Sequence, residues 1–292
     1  MHKAGFVNIV GNPNAGKSTL MNQLVGERLS IITSKAQTTR HRIMGIVNGE
    51  NFQIIYSDTP GILKPKYKLQ EGMMQFVGSA LADADVLLFV VDLTDDELPD
   101  EHAFNKIKNA QVPVFVVLNK TDAVKEERVN ERSEFWKKEL PGGIQFRVSA
   151  LKGDHLDKLL EAIINALPEH PAYYPKDELT DKPERFFVAE IVREKILEQY
   201  SQEIPYAVEV VVEDFKELES IIKIRAIIFC ERETQKGILL GHRGSAIKKM
   251  GTAARLAMET FLQKKVFLDL HIKVDKQWRS SERELKRFGY LQ

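Results

Sequence analysis

The sequence predicts an α/β fold with a mainly parallel sheet, followed by a smaller α+β domain. Up to about residue 167, short and wholly apolar runs alternate with helix-length segments; a proline-dense stretch then interrupts the pattern, and beyond it the order of elements changes. Runs such as 86–91 and 112–118 have strand length, and strands apolar on both faces need helices on both sides, as in a parallel sheet. The spacing predicts strands over 6–10, 43–47, 53–57, 86–92, 114–118 and 145–148. Helices are expected from 16 and over 71–82, 101–109, 126–140 and 156–167. Prolines 168, 171, 175 and 183 disfavour both helix and interior strand. The expected domains are therefore 1–168 and 184–292, joined by a linker over 169–183. In the second, the order reads helix (185–200), strands (207–212 and 220–229), a helix pair around Gly241 to Gly244, a strand (266–274) and a final charged helix.

Composition narrows the function classes. With 43% hydrophobic and 29% charged residues in 292, the chain has enough apolar material for two cores. No apolar run approaches the roughly 18 residues that span a bilayer, and the first residues lack a signal-peptide core. Cys230 is the sole cysteine, which rules out an intramolecular disulfide and fits a reducing compartment. A cytoplasmic protein is expected. Net charge is zero, yet residues 236–292 hold 13 Lys and Arg against 5 Asp and Glu, while the preceding residues hold 29 against 37. The basic end is a candidate polyanion site.

Gly11-Asn12-Pro13-Asn14-Ala15-Gly16-Lys17-Ser18 follows an apolar strand and opens a helix, the context a phosphate-binding loop requires. Its glycines let backbone N–H groups point at phosphate oxygens. Lys17 supplies a charge for the β- and γ-phosphates, Ser18 is suited to ligate Mg²⁺, and Thr19 to reach the α-phosphate. Asp58-Thr59-Pro60-Gly61 ends another strand, with Asp58 suited to hold Mg²⁺ through water and the Gly61 N–H to meet the γ-phosphate. Asn119-Lys120-Thr121-Asp122 decides the base: a carboxylate at Asp122 accepts from the ring N–H and exocyclic amine of guanine, and adenine leaves it unpaired. Asn119 would contact the base edge and brace the loop, and the aliphatic stem of Lys120 would cover the ring. Ser149-Ala150-Leu151 follows the last strand of the domain, with the Ala150 N–H near the guanine carbonyl oxygen. All four segments fall at carboxyl ends of strands, where open α/β sheets bind ligands.

These motifs resemble the translation-factor-related P-loop GTPases over residues 5–167. The resemblance implies GTP and GDP as ligands with Mg²⁺ as cofactor, catalytic roles for Lys17, Thr39 and Gly61, and a switch threonine within Gln37-Thr38-Thr39-Arg40. Thr39 is favoured as that Mg²⁺ ligand, with Thr38 the alternative. Ile62 stands where Ras-like members carry a water-orienting glutamine, which implies slow hydrolysis. In members with an apolar residue there, an asparagine matching Asn14 helps hold K⁺ beside the phosphates.

In the second domain Gly241-His242-Arg243-Gly244 links an apolar helix to a basic one, Lys248 and Lys249 included. Glycines at both ends admit a nucleic-acid backbone, and His242 and Arg243 can meet phosphates. Ile238, Leu240, Ala246 and Ile247 are candidates for an apolar groove or for the core. Lys273, Lys276 and Arg279 extend the basic surface, while Trp278 is suited equally to stacking on a base or anchoring the last helix. The element order resembles a type II KH domain, which binds single-stranded nucleic acid.

Taken together, the chain resembles the bacterial Era family of GTPases along essentially its whole length. The resemblance implies a monomer that binds the 3′ end of small-subunit (16S) ribosomal RNA, acts in 30S ribosomal subunit assembly and associates peripherally with the inner face of the cell membrane. Two alternatives remain at this point: a P-loop phosphotransferase, or an RNA-binding scaffold whose nucleotide is structural.

Overall fold

In the computed structural model, which describes residues 1–291, the first apolar run becomes β1 (Lys3–Gly11), followed by α1 (Lys17–Val25). Then come β2 (Ile43–Asn48), β3 (Phe52–Asp58), α2 (Lys68–Ala82), β4 (Val86–Asp92) and α3 (Glu101–Lys108). The set closes with β5 (Val114–Asn119), α4 (Glu126–Glu139), β6 (Ile144–Arg147) and α5 (Leu156–Ala166). The strands form one sheet ordered β2-β3-β1-β4-β5-β6, parallel except where β2 meets β3 as a hairpin. All residues of β5 are buried and all but the last of β4, as their unbroken apolar runs demand. One core layer packs Phe89 edge-on to Trp136, 5.2 Å between ring centroids, with Phe104 beside them. The chain passes from β1 to β3 on one side and crosses to β4 on the other. The order of the sheet therefore reverses beside β1, and this opens a crevice at the carboxyl ends.

The chain divides into two compact units, 1–66 with 70–181 and 67–69 with 182 onward. Within the second, α6 (Glu184–Gln199) and α7 (Ile204–Ala207) precede β7 (Glu209–Glu217) and β8 (Ile222–Cys230). They are followed by α8 (Glu233–Leu240), α9 (Ser245–Leu262), β9 (Val266–Val274) and α10 (Glu282–Arg287). The sheet runs β7-β8-β9, antiparallel then parallel, with an irregularity between Val212 and Asp214. Val188, Val192 and Ile196 on α6, and Met250, Ala254 and Met258 on α9, recur every four residues. That spacing puts each trio on one helix face, against the core strands. The strand expected over 207–212 starts later and runs five residues further, because pairing with β8 carries its charged end. Buried Tyr290 donates to Glu209 (2.6 Å) and ties the last described residues to β7.

The proline-rich stretch does not hang free of the first unit. Residues 173–181 lie along the outer edge of β2, where Thr180 bridges Gly45 and Ile46 N–H donates to Leu179 C=O (2.8 Å). Thr180 Oγ1 donates to Met44 C=O (2.6 Å), and Met44 N–H to Asp181 (3.0 Å). Fully buried Gln53 completes the seam: its Oε1 accepts from the Tyr173 and Tyr174 amides (2.7 and 3.0 Å), and its Nε2 donates to Tyr174 C=O (2.8 Å). An edge strand offers unpaired backbone groups, and this strap takes up those of Met44 and the amide of Ile46. The pairing is confined to a single bridge and does not extend into a further strand of the sheet.

Replacing Gln53 by Leu leaves those amides without their acceptor. The expected cost is about 1–3 kcal/mol in urea unfolding, with accelerated hydrogen exchange at residues 173 and 174; unchanged exchange there would contradict the strap.

Candidate functional site

Backbone geometry at the carboxyl end of β1 sets up the site. Gly16 has φ +93°, and a Cβ there would stand 2.3 Å from Asn119 Nδ2; only glycine permits both the left-handed turn and that approach. Asn14 is also left-handed, with φ +62°. Asn119, itself buried, donates to Ala15 C=O (2.8 Å) and accepts from Ala150 N–H (2.9 Å). One amide thereby joins the loops after β1, β5 and β6. The Ala150 N–H, expected at the guanine carbonyl oxygen, is instead directed to Asn119. Ser149 Oγ donates to Asp122 Oδ1 (2.6 Å) and accepts from Lys152 N–H (3.1 Å). These bonds orient the carboxylate expected to read guanine.

A cleft of about 580 Å³ lies beneath these loops; Asn14, Lys17, Thr19, Gly61, Lys120 and Leu151 are among its walls. Lys17 is buried and donates to the carbonyls of Gly11 (3.1 Å) and Asn12 (2.7 Å). Burial lowers its pKa to about 8, with the Asp58 charge pulling partway back; phosphate oxygens would favour the charged form further. Asn12 turns its side chain away, to Glu97 C=O (2.9 Å), and leaves its backbone to the loop.

At the floor, Ser18 Oγ donates to Asp58 Oδ2 (2.7 Å), Thr39 Oγ1 lies 3.3 Å from the same oxygen, and the two hydroxyls are 2.9 Å apart. Asp58 is fully buried, and its Oδ1 has no hydrogen-bond partner. Burial raises its pKa, opposed by the Ser18 hydrogen bond and the Lys17 charge. Two hydroxyls and a carboxylate with a spare oxygen fit a hard divalent cation such as Mg²⁺, which takes oxygen donors. Thr38 does not join them: its hydroxyl donates to Lys35 C=O (2.6 Å) and pairs with Thr33 (2.7 Å). Gly61 passes so close to the phosphate loop that a Cβ would stand 2.6 Å from the Pro13 backbone. Ile62 points into the core with Val10 and Val77, so no polar group stands where Ras-like chains carry glutamine.

Asp92 was missed by the sequence reading. It ends β4 and forms an ion pair with Lys120, and the available signal was an acidic residue closing an apolar strand, as Asp58 closes β3.

In the second unit, His242 and Arg243 are exposed between α8 and α9, and Lys248 and Lys249 are exposed on α9. Lys273 and Lys276 are exposed at and beyond the end of β9, with Lys273 3.5 Å from Glu213. A groove of about 390 Å³ runs between α9 and β9, lined by Ile247, Gly251, Leu268 and Leu270 and rimmed by Lys248 and Arg255. Of the four apolar residues expected at a groove or in the core, Ile247 lines the groove, Ala246 packs on the core, Leu240 is half-buried outside the groove lining and Ile238 is exposed. Phe267, 56% exposed, was missed; an aromatic on an outward strand position was its signal. Two basic-surface expectations require correction. Trp278 is fully buried, donates its indole N–H to Ala207 C=O (3.0 Å) and packs edge-on to Phe288, so it anchors the chain and cannot stack on a base. Arg279 is engaged by Glu231, which takes up much of its charge.

The profile of the 50S ribosome-binding GTPase family matches residues 6–120, and that of the KH domain matches 203–279. The chain is 43% identical to GTPase Era of Alkaliphilus metalliredigens, with 99% of each chain covered. It is 46% identical to chloroplastic GTPase ERA1 of Zea mays, over 99% of this chain and 71% of that one. Among solved structures, Era in complex with MgGDPNP and nucleotides 1506–1542 of 16S ribosomal RNA is 38% identical over the full length of both chains, with a TM-score of 0.95. Aquifex aeolicus Era carrying a Tyr-to-Ala substitution and bound to GDP·AlF4⁻ is 39% identical over 99% of this chain and 100% of that one, again with a TM-score of 0.95. The phosphotransferase alternative falls with these matches: the chain belongs to the Era family of GTPases.

Proposed function

We propose that the first unit is a slow GTP-operated switch and that it governs how the second unit binds the 3′ end of 16S ribosomal RNA during 30S subunit assembly. The observation that carries the switch is the convergence of Ser18, Thr39 and Asp58 on one buried point, since Thr39 belongs to a loop and Ser18 to the phosphate-loop helix. In this reading Ser18 and Thr39 ligate Mg²⁺ and Asp58 holds it through water. Lys17 and the Gly61 N–H meet the γ-phosphate, Thr19 meets the α-phosphate, and Asp122 selects guanine. The ion supplies charge stabilisation for phosphoryl transfer. Hydrolysis removes the γ-phosphate contacts of Thr39 and Gly61 and releases the segments that carry them. Ile62 offers no group to orient water, which supports slow turnover, and left-handed Asn14 beside the phosphates supports K⁺ as a charge supplement.

In the second unit, the exposed loop of His242 and Arg243 and the basic rim of the α9–β9 groove support phosphate contacts, with the apolar floor accepting bases. The RNA assignment rests on the 16S ribosomal RNA fragment bound by the relative at 38% identity. The same reading makes the protein a cytoplasmic monomer. No helix among the described residues is long and apolar enough to cross a membrane, so attachment to the inner membrane face would be peripheral, through basic side chains such as exposed Arg283.

Replacing Thr39 by Ala should abolish the preference for a non-hydrolysable GTP analogue over GDP in the presence of Mg²⁺, while Thr38→Ala should retain it; the reverse pattern in titration calorimetry would reassign the ligand. Single-turnover hydrolysis should be faster in K⁺ than in Na⁺, and equal rates would remove the Asn14 ion. Because linkage is reciprocal, a 16S 3′-end oligonucleotide should tighten binding of the GTP analogue relative to GDP. Identical affinity ratios with and without RNA would exclude the coupling.

A further inference from the structure

Lys120 closes one side of the cleft and Leu151, 72% exposed, stands at its mouth. Lysine stems on a surface are mobile, and holding one in place costs side-chain entropy. Here the stem is secured at both ends. Its backbone sits in the left-handed region, with φ +69°, and its ammonium pairs with Asp92 Oδ2. Asp92 cannot swing away, because its other oxygen accepts from the Thr94 amide (2.8 Å) and the Thr94 hydroxyl (2.6 Å). Its backbone is fixed as well: Asp92 lies beside Asn119 in the pairing of β4 with β5, and Leu93 N–H donates to Asn119 C=O (3.2 Å). The carboxylate thus divides its oxygens, one held by Thr94 and one holding Lys120.

Resting on the guanine-site reading above, we propose that Asp92 is a positioning residue for nucleotide binding: through the Lys120 ammonium it holds the lysine stem as a preformed wall against the guanine ring. It reads no atom of the base, so it serves GDP and GTP alike and leaves base choice to Asp122. An ion pair with merely structural value would instead contribute a little stability and nothing to the ligand.

The test is a double-mutant cycle on the full chain, with dissociation constants for GDP and a non-hydrolysable GTP analogue measured for wild type, Asp92→Asn, Lys120→Ala and the double variant. Asp92→Asn keeps the side-chain volume and should weaken both nucleotides equally, by roughly three- to tenfold, the cost of immobilising one long side chain. The hydrolysis rate at saturating GTP should stay unchanged. In the Lys120→Ala background the same substitution should have no further effect. Thr94→Val, at an exposed position, should move affinity in the same direction by a smaller factor. Unchanged affinity in Asp92→Asn, or an equal loss with and without Lys120, overturns the proposal. A wild-type chain that does not bind GDP overturns the site reading beneath it and is distinguished from the first result by that control.

Discussion

Asn119 is buried at the carboxyl end of β5, and its amide donates to the phosphate loop while accepting from the loop after β6. A side-chain amide has both a donor and an acceptor face, so one residue can fix the distance between the loop after β1 and the loop after β6. The rest of the site is arranged around that distance. Gly16 is glycine because Asn119 occupies the space a Cβ would need, and Asp122 is aimed by Ser149, the residue preceding the second partner of Asn119. In a buried setting such a bond is worth more than its solvent-exposed counterpart, and losing either half would strand a polar group.

Charge is managed in the same economical way. Lys17 and Asp58 are both buried, and burial alone disfavours the ionised form of each. Their mutual attraction and the Ser18 and Thr39 hydroxyls offset part of that penalty. A phosphate at Lys17 and a cation at Asp58 would each favour the charged form that burial opposes. The same cluster brings Thr39, which is remote from Ser18 in sequence, to the point where nucleotide state would be sensed.

The strap over 173–181 ties the neighbouring edge of the sheet to the chain that enters the second unit. It is hydrogen-bonded to Met44 and Ile46, on the strand that begins four residues after Thr39, and it leads into Lys182, where the second unit starts. At the other end of the chain, Trp278 and Tyr290 are drawn into the second unit. The described residues beyond β9 are thereby part of its fold.

The amino-acid sequence by itself determined the parallel sheet, because runs as apolar as those of β4 and β5 have no stable arrangement except between two helical layers. It also determined the phosphate and guanine motifs, whose residue types are dictated by local backbone geometry and ligand chemistry. Tertiary structure decided whatever depends on a partner distant in sequence. Thr39 and Thr38 are equivalent as letters, and only the hydroxyl of Thr39 meets Ser18 and Asp58. Trp278 could stack or anchor until the carbonyl of Ala207 claimed its indole. The proline-rich stretch gave no sign of its docking, because the seam is made by the edge of β2 and by Gln53, more than a hundred residues earlier. Asp92 was silent for the same reason: the role of a carboxylate is set by the cation that folding delivers to it, and Lys120 arrives from the neighbouring strand.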